Sequence, residues 1–288
     1  MSTPIVDERR ARRWLSWAGV RLREAGVEGP ELEAELLAAF VLGCERVALI
    51  TGDPVITPEA LTKLNAILEQ RTRRVPLAYL VGKREFYSLE FKVTSEVLIP
   101  RPETELLVEV ALEAVDRRAR GVRIADLGTG CGTIALTLAH ERPQLELVAT
   151  DISPSALALA AINAKRLGSR GVEFRLGDWW QALGDERFDL ILSNPPYIPL
   201  AALDELAPEV ACFEPRLALV GGNDGLACYR LLAEGAKAHL VAGGEMMVEV
   251  GEGQADAVAA LFQAGGARTI TCWQDLAGQQ RVVTGRWD

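Results

Sequence analysis

An apolar run that breaks into glycines and is followed at once by a second apolar run constrains this chain more than any other feature. Val122-Arg123-Ile124-Ala125-Asp126-Leu127 reads as a buried strand, Gly128-Thr129-Gly130-Cys131-Gly132 follows directly, and Ile134-Ala135-Leu136-Thr137-Leu138-Ala139 continues as a helix. Strand, glycine turn and helix in this order open a doubly wound α/β fold. Glycines let the backbone turn tightly and approach a ligand, and a helix N-terminus presents unpaired N–H groups beside it. The spacing is G-x-G-x-G, with Thr133 where the third glycine of a dinucleotide-binding turn would stand. The turn alone is weak evidence; its weight comes from the strands that follow.

Leu145–Thr150 reads as a second strand and ends at Asp151, 25 residues after Asp126. A carboxylate there can hold both hydroxyls of a ribose and would repel a 2′-phosphate. It could instead cap the next helix, but Ser153-Pro154 already supplies a cap and a first-turn proline. A third strand, Val172–Leu176, leads to Gly177-Asp178-Trp179-Trp180. Asp178 could accept from an adenine amino group with an indole beside the ring; ordinary packing is the expectation for one of the two tryptophans. A fourth strand, Phe188–Ser193, ends in Asn194-Pro195-Pro196-Tyr197.

In isolation that tetrapeptide would be a proline-rich turn. Two prolines fix their own φ and push Asn194 toward an extended conformation, so its side chain points in a defined direction. An –NH₂ group conjugated to a π system is a poor nucleophile. The Asn194 side-chain oxygen and the Pro195 carbonyl could accept both of its protons and leave the lone pair facing a methyl donor, with Tyr197 as a flat wall. The strand ends of a doubly wound sheet gather into one crevice. A single ligand spanning them would carry an adenosine and present its reactive end to Asn194. S-adenosylmethionine fits that description, whereas a nicotinamide cofactor gives N-P-P-Y no task.

Two further blocks, Val75-Pro76-Leu77-Ala78-Tyr79-Leu80-Val81-Gly82-Lys83-Arg84-Glu85-Phe86-Tyr87 and Leu98-Ile99-Pro100-Arg101-Pro102-Glu103-Thr104-Glu105, join these loops. Together they resemble the protein N(5)-glutamine methyltransferases that modify bacterial peptide chain release factors, the PrmC (HemK) family. The resemblance runs from about residue 75 to the C-terminus, through Phe213–Leu219 and Arg281–Arg286. It implies a Rossmann-like, seven-stranded S-adenosylmethionine-dependent methyltransferase domain yielding S-adenosylhomocysteine. It also implies that Gly128, Thr129, Gly130, Cys131, Gly132, Asp151 and Trp179 contact the cofactor; the loop reading above adds Asp178, and Asn194 at the reactive end. Asn194, Pro195, Pro196 and Tyr197 would hold the glutamine of a Gly-Gly-Gln motif, and Leu98-Ile99 would line the transfer site.

Composition separates the alternatives. The net charge is −9; residues 1–75 hold 11 basic and 11 acidic side chains, leaving 20 against 29 in the remainder. An acidic catalytic region suits a basic protein partner better than a DNA duplex, whose binding is dominated by phosphate contacts. This counts against an N(6)-adenine DNA methyltransferase, which could use N-P-P-Y on a flipped base. A non-catalytic cofactor-binding adaptor would have no use for Asn194. Five cysteines without C-x-x-C spacing and two histidines, His140 and His239, make no metal-ligand cluster. No apolar run has membrane-spanning length and no signal-peptide core opens the chain, so a reduced, cytoplasmic protein is expected.

The organisation expected is a helical, partner-binding domain over 1–75, a β-hairpin linker over 76–100 and the catalytic domain over 101–288. Helices are expected over 7–25, from Pro30, from Pro58 through the Arg71–Arg74 cluster, and over Gly225–Leu240. Glu85–Val93 reads as a hairpin, Gly243–Val250 as a fifth strand, and Arg268–Trp273 with Arg281–Trp287 as a closing hairpin. The Arg9-Arg10, Arg12-Arg13 and Arg71–Arg74 clusters read as solvated faces.

Overall fold

The computed structural model describes residues 10–118 and 121–288. Two compact units emerge: residues up to Gly82 together with Ala207–Phe213, and Lys83–Leu206 together with Glu214–Asp288.

The first unit is helical: α1 (Ala11–Glu24), α2 (Pro30–Leu42), α3 (Arg46–Gly52), α4 (Pro58–Thr72) and α5 (Leu77–Val81). Residues 7–9 of the first expected helix, and with them Arg9, lie outside the described residues. Helical spacing puts Trp14, Ala18 and Leu22 of α1 on one buried face, where they meet Leu37, Leu49 and Leu64. Pro30 and Pro58 sit in the first turns of α2 and α4, and the Thr57 hydroxyl accepts from Ala60 N–H to cap α4. The Arg71–Arg74 cluster is not a solvated face throughout. Arg71 is only 3% exposed. Its guanidinium bonds Glu33 and, at 2.9 Å, Glu209, while Arg74 donates to both oxygens of Glu209 at 2.6 and 2.5 Å. A cation buried this deeply requires such partners, and one of them comes from 138 residues away, beyond reach of a local reading.

The second unit opens with an antiparallel hairpin, β1 (Lys83–Phe86) and β2 (Leu89–Lys92). Then follow α6 (Glu105–Asp116), β3 (Arg123–Leu127), α7 (Thr133–Glu141), β4 (Glu146–Asp151), α8 (Pro154–Leu167), β5 (Val172–Leu176) and β6 (Phe188–Ser193). The short helix α9 (Pro208–Phe213), which carries Glu209, belongs to the first unit. The second unit resumes with α10 (Ala227–His239), β7 (Leu240–Glu249), α11 (Ala255–Ala264), β8 (Thr269–Gln274) and β9 (Gln280–Trp287).

The large sheet has the order β5-β4-β3-β6-β7-β9-β8. The first five strands are parallel and β9 and β8 run antiparallel, giving the seven-stranded Rossmann-like sheet expected. Strand β7 begins three residues before the expected Gly243, directly at the end of α10. The register against β6 slips there, from Phe188↔Leu240 to Leu190↔Glu245; the bulge takes up the extra β7 residues between these two pairs, Gly243 and Gly244 among them. Successive connections leave β3 in opposite directions toward β4 and β6, so the switch point lies where the glycine turn and N-P-P-Y emerge. Every residue of α7 from Thr133 to Ala139 is buried, as a helix apolar all round must be.

The hairpin is fastened to this body by polar links. Asn163, fully buried on α8, accepts from Lys92 N–H and donates to the carbonyls of Lys92 and Cys131. Glu105 accepts from Tyr87 N–H at 2.8 Å in the hairpin turn. No helix among the described residues is long and apolar enough to cross a membrane.

Candidate active site

At the C-terminal ends of the parallel strands lies a cleft of about 440 Å³. Its floor begins with the turn after β3, where Gly128 (φ 76°) and Gly130 (φ 57°) adopt left-handed conformations that side chains disfavour and both line the cleft. Asp151 ends β4 and fixes this turn: one carboxylate oxygen accepts from Gly130 N–H, the other from Ser153 N–H, each at 2.9 Å. Burial pushes its carboxyl above the ordinary range, against the pull of those N–H donors. The helix cap is indeed Ser153, whose hydroxyl accepts from Ala156 N–H. The remaining residues of the turn face inward. Thr129 donates to Asp126 Oδ2 at 2.6 Å, Cys131 places its thiol against the Thr133 hydroxyl, and Gly132 caps α7 against Leu136 and Ala160. These three do not line the cleft. Asp126 is fully buried, Oδ1 has no hydrogen-bond partner, and burial raises its carboxyl to about 7 despite Thr129 and Ala135.

Asp178 and Trp179 line the next stretch with Gly177. The two tryptophans have different surroundings. Trp180 stacks on His239 at 4.6 Å between centroids and donates to the Leu231 carbonyl at 2.9 Å. Trp179 sits at φ 46°, an uncommon conformation for a bulky side chain, with its residue on the cleft. Cys228 lines the same end, its thiol raised to about 11 by burial and the charge of Asp178. The opposite rim is built from Ser95–Leu98 and from Pro215, Leu217, Ala218 and Val220. Glu214, 4% exposed, joins these two segments: it accepts from Ile99 N–H at 3.1 Å and from Arg101 at 2.5 Å. Leu98 reaches the cleft, whereas Ile99 is buried behind it.

N-P-P-Y closes the cleft at the end of β6. Asn194 and Pro196 line it; Pro195 is buried and Tyr197 is half-buried. Asn194 Nδ2 donates to Thr104 Oγ1 at 3.1 Å, so its amide oxygen is the end left for a ligand. The Tyr197 hydroxyl donates to Glu249 at 3.5 Å, and its backbone carbonyl accepts from Gln254 Nε2 at 2.9 Å. Gln254 also accepts from Gly251 N–H, which ties the loop after β7 to the loop after β6.

The chain has matches among known proteins. The PrmC N-terminal domain matches residues 13–82 and the methyltransferase small domain matches residues 102–207. A release factor glutamine methyltransferase of Geobacter sulfurreducens is 45% identical over 276 residues, spanning 96% of each chain. One from Xylella fastidiosa is 46% identical over 256 residues, covering 88% of this chain and 92% of its own. The chain belongs to the release factor glutamine methyltransferase family. A solved methyltransferase of Pyrococcus furiosus is similar in fold, with a TM-score of 0.51 at 17% identity over 69% of this chain and 89% of its own.

Family membership makes the chain an enzyme with a methyltransferase domain and sets aside the adaptor. Three residues that the sequence reading missed brace the loops around the cleft: Glu249, Gln254 and Glu214. Glu249 had a signal. A lone carboxylate in Met246-Met247-Val248-Glu249-Val250 breaks an otherwise apolar buried strand, and charges in such strands are rare without a task. Glu214 had only its place in F-E-P-R, and Gln254 nothing local.

Proposed function

We propose that this enzyme methylates the side-chain amide nitrogen of the glutamine in the Gly-Gly-Gln motif of bacterial class I release factors. The donor is S-adenosylmethionine, the product S-adenosylhomocysteine, and the setting the cytoplasm. The carrying observation is the orientation of Asn194, whose Nδ2 is committed to Thr104 while the residue lines the cleft. An oxygen presented there suits an incoming –NH₂ group.

The residues fit the donor. Gly128 and Gly130 allow close backbone approach, Asp151 offers a carboxylate to a ribose diol, and Asp178 with Trp179 would take the adenine. The donor supplies an electrophilic methyl group on a sulfonium. Asn194 Oδ1 and the Pro195 carbonyl accept hydrogen bonds from the two amide N–H groups and orient the nitrogen lone pair, and Tyr197 fixes the plane. The amide nitrogen becomes acidic once alkylated and loses its proton to water, so no dedicated base is needed. Catalysis then comes from proximity and exclusion of water. The helical unit would bind the release factor away from the reacting group.

Incubating the full-length protein with labelled S-adenosylmethionine, and in parallel with release factor or with duplex DNA, tests the reading. Label in release factor at the Gly-Gly-Gln glutamine is the expected result; label only in DNA would replace this function with adenine methylation.

A further inference from the structure

A primary amide has two ends of similar size and opposite hydrogen-bonding sense, so the use of Asn194 depends on which end faces the cleft. Its neighbours decide this. Asn194 Nδ2 donates to the hydroxyl of buried Thr104. That hydroxyl in turn approaches the Glu249 carboxylate and stabilises its charge. A hydroxyl has one hydrogen. Once that hydrogen is directed at a carboxylate, Thr104 can only accept from Asn194, and Asn194 must turn its NH₂ toward it. The oxygen is then held in the other direction.

Glu249 has a second link. Its Oε1 accepts from the Tyr197 hydroxyl at 3.5 Å, at the outer limit of a hydrogen bond, and Oε2 makes no hydrogen bond of full geometry. The side chain is 2% exposed and ends a strand whose preceding residues, Met246, Met247 and Val248, are fully buried. The charged groups acting on it are Glu103 and Arg281, and Tyr229 of α10 donates to its backbone carbonyl at 2.9 Å. A buried carboxylate so thinly hydrogen-bonded weakens the fold. Its link to both polar side chains of N-P-P-Y gives that cost a use.

We propose that Glu249 is a positioning residue for the acceptor site: through Thr104 it fixes the direction of the Asn194 amide, and through Tyr197 the ring beside it. This rests on Asn194 accepting from the substrate amide. Only the anion imposes the direction. A protonated Glu249 can donate to Thr104, whose own hydrogen can then go to Asn194 Oδ1 and let the amide turn over. Burial pushes the Glu249 carboxyl up to about 7; the Thr104 hydroxyl opposes this, Glu103 adds to it, and Arg281 and Tyr197 oppose it further. The active form is the deprotonated one, so the rate rises as pH increases through about 7.

The test uses full-length protein, initial rates on intact release factor and calorimetric cofactor affinity. Glu249→Gln should lower kcat about tenfold, the scale of one misdirected hydrogen bond, and flatten the pH profile near neutrality. KM for release factor and cofactor affinity should stay unchanged. Thr104→Ser, which keeps the hydroxyl, should retain the rate, whereas Thr104→Val should lose it along with the pH limb. Adding Glu249→Gln to Thr104→Val should cost little more, since the route is already cut. Losses that multiply, or a Glu249→Gln enzyme with wild-type rate and pH profile, would overturn the assignment. If that variant does not fold, Thr104→Val alone decides: a retained pH limb sinks the proposal. Wild type that leaves release factor unmethylated would overturn the functional reading itself.

Discussion

The two ends of the cleft are held in different ways. At the donor end the constraints are local: Thr129 to Asp126 spans three residues, Ser153 to Asp151 two, and Gly130 to Asp151 21. At the acceptor end, Asn194 to Thr104 spans 90 residues, Tyr197 to Glu249 52 and Gln254 to Tyr197 57. The side proposed for the donor is built by turns at the ends of β3, β4 and β5, strands that follow one another in the chain. The side proposed for the glutamine is built from single atoms, and their placement requires three distant segments to converge. The donor end can therefore tolerate remote change, while the acceptor end cannot.

Asn194→Ala tests that contrast with the largest effect. It should lower the methylation rate about a hundredfold or more, as removal of an orienting polar group does, and leave cofactor affinity nearly intact by calorimetry. A wild-type rate would remove N-P-P-Y from the chemistry. Asp151→Ala should act at the other end only, weakening S-adenosylmethionine binding roughly tenfold to a hundredfold, the scale of a lost charged hydrogen-bond pair. Unchanged affinity in a folded variant would take the residue out of the site.

Gly225→Ala probes the acceptor end from outside the cleft. At φ 76°, an added Cβ would stand 2.4 Å from the Tyr197 carbonyl oxygen and 2.6 Å from Gln254 Nε2, so the N-P-P-Y loop must shift. A misplacement of this kind should cost about tenfold in kcat without changing cofactor affinity; equal losses in both would erase the distinction between the ends. The smallest effect belongs to Trp180→Phe. It removes the bond to the Leu231 carbonyl and should cost about 1 kcal/mol of stability by denaturant titration, with cofactor affinity unaffected. A clear affinity loss would mean that Trp180, and not Trp179, serves the ligand.

The same contrast explains what the sequence could convey. Strand, glycine turn and acidic strand end are contiguous, so the β3-turn-α7 unit and the position of Asp151 were legible. So was the closing hairpin of β8 and β9. The inward orientation of Thr129, Cys131 and Gly132 was not, because a motif names a turn without saying which side of it faces the ligand. Arg71 read as a surface charge because Glu209 enters its surroundings from a segment between β6 and β7, 138 residues along the chain. Glu249 was visible as an odd charge in an apolar strand, yet its partners, Thr104 and Tyr197, could be assigned only in three dimensions.

The placement of α9 has a consequence for synthesis. The helical unit is the first to leave the ribosome, yet it is not finished when Gly82 emerges. Arg71 and Arg74 share Glu209, which follows Arg74 by 135 residues, a delay of roughly ten seconds or more at ordinary elongation rates. During that interval Arg71 has only Glu33 as a carboxylate partner. Completion of the first unit therefore waits until N-P-P-Y and the six strands before it have been translated. The nascent chain cannot mature one bead at a time.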